Sequence, residues 1–232
     1  MGLSRERVLR TAVKIADERG IGSLTMRRLA DELGAEAMSL YYHVANKEGI
    51  LDGVVDVVAS EINDAVGTVD APSGNADWKK VVRQRILTAR QVFLRHPWAP
   101  HVFATRTNTS PAVLRYHDGL VGILHGAGFS YDLIHHALHA LGSRALGFTQ
   151  ELFDPGNGTP GDGTLGNGTP GDEPDPAMAA MAGQLPNLAS MLAVVAHDDP
   201  DSTLGWCDDQ FEFEFGLDLI LDGLDRLREA GE

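Results

Sequence analysis

Apolar residues recur four and then three positions apart in two stretches of this chain, and that spacing limits its fold more than any other feature. The first stretch runs Ile134, Leu138, Leu141, Ala145, Phe148 and Leu152; the second runs Phe213, Leu217, Ile220, Leu224 and Leu227. Alternating fours and threes keep side chains on one face of an α-helix, so both stretches predict long helices with an apolar seam. The run "FEFEF" alternates as a strand would, yet the seam continues for two more turns beyond it and decides for helix. Gly142, Gly147, Gly216 and Gly223 let such seams approach closely, which suits a four-helix bundle made by two copies of the chain. On that reading Ile134, Leu138, Leu141, Ala145, Phe213, Leu217, Ile220 and Leu224 form the interface of a homodimer. The other reading is that one chain fills both seams itself.

The segments between residues 77 and 153 predict helices throughout. "DWKKVVRQRILTARQVFLRH" is followed by a proline-bounded piece, "PWAPHVFATR", and Ser110-Pro111 then starts a helix that Gly128 ends. Ser130 caps the next. No strand pattern appears, and the fold class expected is all-α.

After that come two copies of a ten-residue repeat, GNGTPGDGTL and GNGTPGDEPD. Each contains G-x-G-x-x-G, but a dinucleotide fingerprint sits between a strand and a helix, and neither copy does. Pro160 and Pro170 also remove backbone N–H groups that a phosphate cradle uses. Residues 154–175 are therefore expected to be a flexible loop. The sequons at Asn157 and Asn167 carry little weight without a secretory signal, and the N-terminus has no apolar run of that kind. No stretch has the length of a membrane span, and the single cysteine, Cys207, has no partner for an internal disulfide. A cytoplasmic protein with no membrane contact is the expectation, holding no metal or other cofactor. His135 and His139 stand four apart beside His136, a spacing compatible with a metal but lacking a third ligand; polar contacts at a subunit interface fit them better.

A net charge of −14 argues against nucleic acid until its distribution is read. Residues 1–52 carry eight basic and eight acidic side chains, so all the excess acidity falls later. A neutral head with local basic residues binds phosphates, while an acidic body suppresses indiscriminate coating of DNA.

The head predicts four helices. Ser4 caps one carrying Val8, Leu9, Ala12, Val13, Ile15 and Ala16 at helical spacing, and Gly20 closes it. Thr25 caps "MRRLADEL", Gly34 supplies a left-handed turn, and "AEAMSLYYHV" follows. Asn46 caps a long helix at 47–66 that links head to body. Helix, glycine turn and short helix make a helix-turn-helix. Ala37, Met38 and Ser39 occupy the groove-entering end of the second helix, and Tyr41, Tyr42, His43 and Lys47 supply hydrogen-bonding groups further along. Leu40 and Val44 face inward. Adjacent helical residues cannot share a face, so at least one of Tyr41, Tyr42 and His43 points outward.

The segment "LTMRRLADELGAEAMSLYYHVANKEGIL" closely resembles the DNA-binding part of TetR-type transcriptional regulators. That resemblance implies that Arg27 reads a base in the major groove, with Arg28 beside it, and that Thr25, Tyr42, His43 and Lys47 clamp phosphates. It places a helix-turn-helix domain at residues 1–48 and a helical effector-binding and dimerisation domain at 67–232. The ending "FEFGLDLILDGLDRL" resembles the dimerisation helix of the tetracycline-repressor subgroup. In that subgroup a His ahead of a "TR" segment and a Glu near the end of the first bundle helix contact the drug and its magnesium; His101 and Glu151 fall at similar places. Phe103, Leu138 and Phe148, with Trp98, Leu114 and Leu146, are candidates for an apolar pocket wall, and equally for ordinary core. The function implied is a homodimeric repressor that a small-molecule effector releases from a near-palindromic duplex operator. A carrier or enzyme retaining the motif by descent is the alternative, but no catalytic constellation supports it.

Overall fold

Three helices of the head begin at a side-chain oxygen that takes up an orphan backbone amide. Ser4 Oγ accepts from the Arg7 amide at 3.2 Å and starts α1 (Arg5–Arg19). Thr25 Oγ1 accepts from the Arg28 amide at 3.1 Å and starts α2 (Met26–Leu33). Asn46 Oδ1 accepts from the Gly49 amide at 2.8 Å and starts the long α4 (Lys47–Val66). Between α2 and α4 lies α3 (Ala37–Leu40), reached through Gly34 at φ 62° and ψ 37°, a left-handed conformation that glycine adopts without a Cβ penalty. The regular part of α3 is only four residues long, and turns carry the chain on to His43.

These features come from a computed structural model that describes residues 2–67, 78–107, 110–147, 183–187, 190 and 209–231. Every regular element among them is helical. Residues 1–149 with 217–232 form one compact unit, and 150–216 form a second. The expected loop 154–175, Cys207, Phe148 and Glu151 lie outside the described residues.

In the first unit the body continues with α5 (Trp78–Arg95), α6 (Ala99–Thr105), α7 (Pro111–Gly126) and α8 (Tyr131–Gly147). Ser110 Oγ and Ser130 Oγ cap α7 and α8 by accepting from Val113 and Leu133 amides, both at 3.1 Å. The final helix, α9 (Asp209–Ala230), includes the FEFEF run in its first turns. From Leu217 onward α9 is tied to the start of α5: Lys79 Nζ lies 2.8 Å from Asp225 Oδ2 and 2.9 Å from Asp222 Oδ1, and Arg83 Nε lies 2.7 Å from Asp218 Oδ1. Arg228 donates to the Ala127 carbonyl at 3.2 Å and stacks over Phe129.

Helix α4 is the beam that joins head and body, packing on α1 on one side and on α5 and α7 on the other. Gly53 makes the α1 contact possible, because a Cβ there would run into the Leu9 side chain. One apolar core runs continuously from Val8 in α1, through Val54 and Val58, to Val102 in α6. Full burial of a side chain of that size contributes roughly 1.5–3 kcal/mol, so this shared core fixes α4 firmly to both parts.

Much of both seams is covered within the single chain. Ile134, Leu141, Leu217 and Leu224 are buried within the single chain, as is Phe213, while Ile220 is half-buried. Periodicity identifies the apolar face of a helix but not which neighbour covers it, and here neighbours from the same chain do. What α9 leaves exposed is an adjacent stripe: Phe211, Phe215, Leu219 and Leu227.

Candidate functional site

Two sites emerge from this architecture, one on the surface of the head and one inside the body. On the head, the glycine turn holds α3 beside α2 with Leu40 and Val44 wholly or nearly buried. Anchoring those two residues leaves the opposite surface free: Met38 is 72%, Tyr41 47% and Tyr42 90% exposed. Such exposure of large side chains needs a partner to justify it. Arg27 and Lys47 are exposed on the same part of the chain, and His43, Ala37 and Ser39 are partly exposed.

Some of the expected DNA-facing groups already have local work. Thr25 caps α2 with its hydroxyl oxygen, Ser39 Oγ donates to the Glu36 carbonyl at 2.6 Å, and Arg28 Nη1 donates to the Ser23 carbonyl at 2.9 Å. Arg28 thus braces the turn before α2.

In the body, α4, α5, α7 and α8 surround a cavity of about 260 Å³. Its wall is mostly apolar, with Ile62, Ile86, Phe93, Leu120 and Leu141 among the lining side chains. Phe103, Leu138 and Leu146 also line it, and so does Ala145, which was expected at a subunit interface. Trp98 instead packs in the core and donates from Nε1 to Asp17 Oδ1 at 2.7 Å, while Leu114 is exposed. His101 is exposed on α6 and is not among the side chains that line this cavity; the helix turns Val102 inward at that point.

Polar groups that sequence reasoning passed over stand in or behind this wall. Arg106, just after α6, lines the cavity while its Nη1 reaches Glu48 Oε2 at 2.6 Å and Asp52 Oδ1 at 3.5 Å, both in the first turns of α4. The hydrogen bond to Glu48 holds this guanidinium above its ordinary value. Tyr116 and His117 line the cavity from α7. Burial pushes the Tyr116 phenol well above its ordinary value and holds the His117 imidazole below its own. The Arg85 guanidinium sits 5.6 Å from the Tyr116 ring centroid, and desolvation draws it below its ordinary value. The "ATR" segment marked the neighbourhood of Arg106, but its partners lie more than fifty positions earlier in the chain. No cluster of three metal-ligating side chains occurs among the described residues. His135 and His139 make an edge-to-face ring contact at 4.7 Å on the exposed side of α8.

A helix-turn-helix head sharing one core with a hollow helical body defines a one-component regulator: DNA is met at one end and a cavity lies at the other. The chain belongs to the TetR family of bacterial regulatory proteins, whose N-terminal model matches residues 8–54, and a tetracyclin repressor-like C-terminal domain matches residues 71–228. It is a DNA-binding transcriptional regulator and not an enzyme. A similar protein is an HTH-type transcriptional regulator of Saccharopolyspora erythraea, 35% identical over 127 residues; the chain spans about half of that relative, 51%, with 55% of its own length. The class C tetracycline repressor protein of Escherichia coli is 27% identical over 227 residues, covering 97% of this chain and 92% of that one. Among solved structures, a possible TetR family transcriptional regulator from Streptomyces coelicolor is 32% identical with a TM-score of 0.73, over 97% of this chain and 100% of the other. The TetR family protein ActR of the same organism, in complex with actinorhodin, is 26% identical with a TM-score of 0.72 over the full length of both. No helix among the described residues is long and apolar enough to cross a membrane.

Proposed function

We propose that this regulator is a homodimeric repressor, released from a near-palindromic operator when a small-molecule effector enters the body's cavity. One observation carries the reading. Arg106 is at once part of the cavity wall and ion-paired with Glu48 and Asp52 at the head end of α4. Anything that displaces Arg106 from within the cavity therefore acts on the helix that follows the recognition segment. A ligand that binds one placement of that helix better than another shifts the population toward it. The known complexes of relatives, ActR with actinorhodin among them, support a body that receives small molecules.

In this reading residues 1–48 are the DNA-binding head and 67–232 the effector-binding and dimerisation body, with α4 between them. Arg27, Met38, Tyr41, Tyr42 and Lys47, all exposed, meet DNA directly. Thr25, Arg28 and Ser39 hold the motif's shape, and Ala37 and His43 complete its surface. The second copy docks on the exposed stripe of α9 that includes Leu219 and Leu227, together with the small residues Ala140, Ser143 and Gly147 on the open side of α8. Burying that stripe offsets its exposure, and pairing two heads places their recognition segments about 34–36 Å apart for successive major grooves.

Selection of binding sites from random duplex DNA by the purified protein at near-physiological salt tests the reading. Enrichment of one near-palindromic sequence is expected. Failure of a folded protein to enrich any sequence, with and without extracts of candidate effectors, removes the repressor reading. Sedimentation of Leu219→Glu with Leu227→Glu tests the dimer face, which predicts conversion to a monomer.

A further inference from the structure

Two polar atoms in the cavity-lining side chains have no hydrogen-bond partner among the described residues: Tyr116 Oη and Arg106 Nε, both buried. A buried donor without an acceptor is a standing cost to a fold, and each such atom calls for a physical account. The two belong to different elements, α7 and the segment after α6, yet line the same cavity. Apart from His117, the other side chains of the wall are apolar.

We infer that the effector is an apolar molecule bearing an oxygen-acid group, such as a carboxylate, which accepts hydrogen bonds from Tyr116 Oη and Arg106 Nε. This inference rests on the cavity being the effector site. The surroundings favour a negative oxygen. Arg85 brings a second guanidinium over the Tyr116 ring and lies close to the backbone at position 119, where a Cβ at Gly119 would meet Arg85 Nη2 at 2.5 Å. The two carboxylates nearby, Glu48 and Asp52, are engaged by Nη1 of Arg106, which leaves Nε for a different acceptor. Burial keeps the proton on the Tyr116 hydroxyl, so this group donates to the incoming oxygen. Both atoms sit behind the cavity surface, and the acceptor meets them as the side chains turn. Turning Arg106 toward the effector draws it from Glu48, which gives the acid group a part in the response as well as in affinity.

The test uses two fluorescent probes with the same aromatic body, anilinonaphthalene sulfonate and N-phenylnaphthylamine, titrated into the full-length protein. Leu138→Trp, which adds bulk to the cavity wall, serves as a blocked control, with circular dichroism to verify folding. Saturable binding of both probes to the wild type and neither to the blocked variant is expected. Tyr116→Phe and Arg106→Met should each lower the ratio of sulfonate to amine affinity about tenfold, as expected for loss of a hydrogen bond to a charged group. An unchanged ratio in both variants overturns the acid-binding subsite while leaving the cavity as the effector site. Probe binding that survives in the blocked variant, or no binding to the folded wild type, overturns the effector cavity itself and the subsite with it.

Discussion

His96 Nδ1 stands 2.7 Å from Asp17 Oδ1, and its other ring nitrogen stands 3.1 Å from Glu61 Oε2. Asp17 belongs to α1 and Glu61 to α4, so one buried imidazole from the end of α5 bridges the head's first helix and the beam beneath it. Each ring nitrogen faces a carboxylate oxygen, and Asp17 Oδ1 also receives the Trp98 indole N–H. Asp17→Ala therefore strands two donors at once. We expect a loss of about 2 kcal/mol in stability by urea titration, together with weaker operator binding. A change below about 0.5 kcal/mol would mean that the bridge is incidental.

Glu48 is two-thirds exposed, and its ion pair with Arg106 contributes little to stability by itself. Its expected contribution is to communication. Glu48→Gln with Asp52→Asn should leave the melting temperature within a few degrees of wild type and reduce the factor by which effector weakens DNA binding. Electrophoretic titration of operator with and without effector reads that factor directly; an unchanged value excludes this pair as the coupling.

Tyr116 offers a trade between stability and affinity. Replacing it with Phe removes a buried hydroxyl that lacks a partner among the described residues, so the variant should be more stable by up to about 1 kcal/mol. Thermal melts in the absence of effector test this, and a destabilised variant would show that the hydroxyl is satisfied in solution.

Acid should loosen α9. The hydrogen bond from Lys79 is the main cause holding the Asp225 carboxyl below its ordinary value, with Arg228 assisting against desolvation. With the folded value below the unfolded one, the unfolded chain takes up the proton first as pH falls. The contribution is thus fully present above the unfolded value, about 3.9, and disappears as pH drops through the depressed folded value. Asp225→Asn should lower the melting temperature at neutral pH and match wild type once pH is well below that range. A difference that persists undiminished at low pH would assign the effect to packing instead.

Close approach of α1 and α4 at Gly53 gives a purely steric prediction. Gly53→Ala pushes on Leu9, which is almost fully buried, and should cost about 1–3 kcal/mol despite the better helix propensity of alanine. A stabilised variant by urea titration would show that Leu9 repacks freely.

Local chemistry was the legible part of this fold. The caps at Ser4, Thr25, Asn46, Ser110 and Ser130 and the left-handed turn at Gly34 each depend on a few adjacent residues, and each stands where the sequence places it. The family match followed from the same head segment. Less legible were facts set by distant neighbours. Leu138 and Leu141 share a seam that was read as a subunit interface, yet both line the cavity, the second almost fully buried. His101 drew attention through its neighbours in sequence, whereas one residue's rotation along α6 turns it outward. Arg106 drew none, since its value lies in partners 58 and 54 positions away. Phe148 and Glu151 fall outside the described residues.

Sharing Arg106 between cavity and head has a consequence for dosage. If effector weakens operator binding by some factor, bound operator must weaken effector binding by that same factor. Each occupied operator then holds its repressor in the form least receptive to effector, so occupied sites raise the concentration needed for release. A cell carrying extra copies of the operator on a plasmid should draw repressor from the original site, and the surplus sites should shift the induction threshold by an amount set jointly by copy number and coupling.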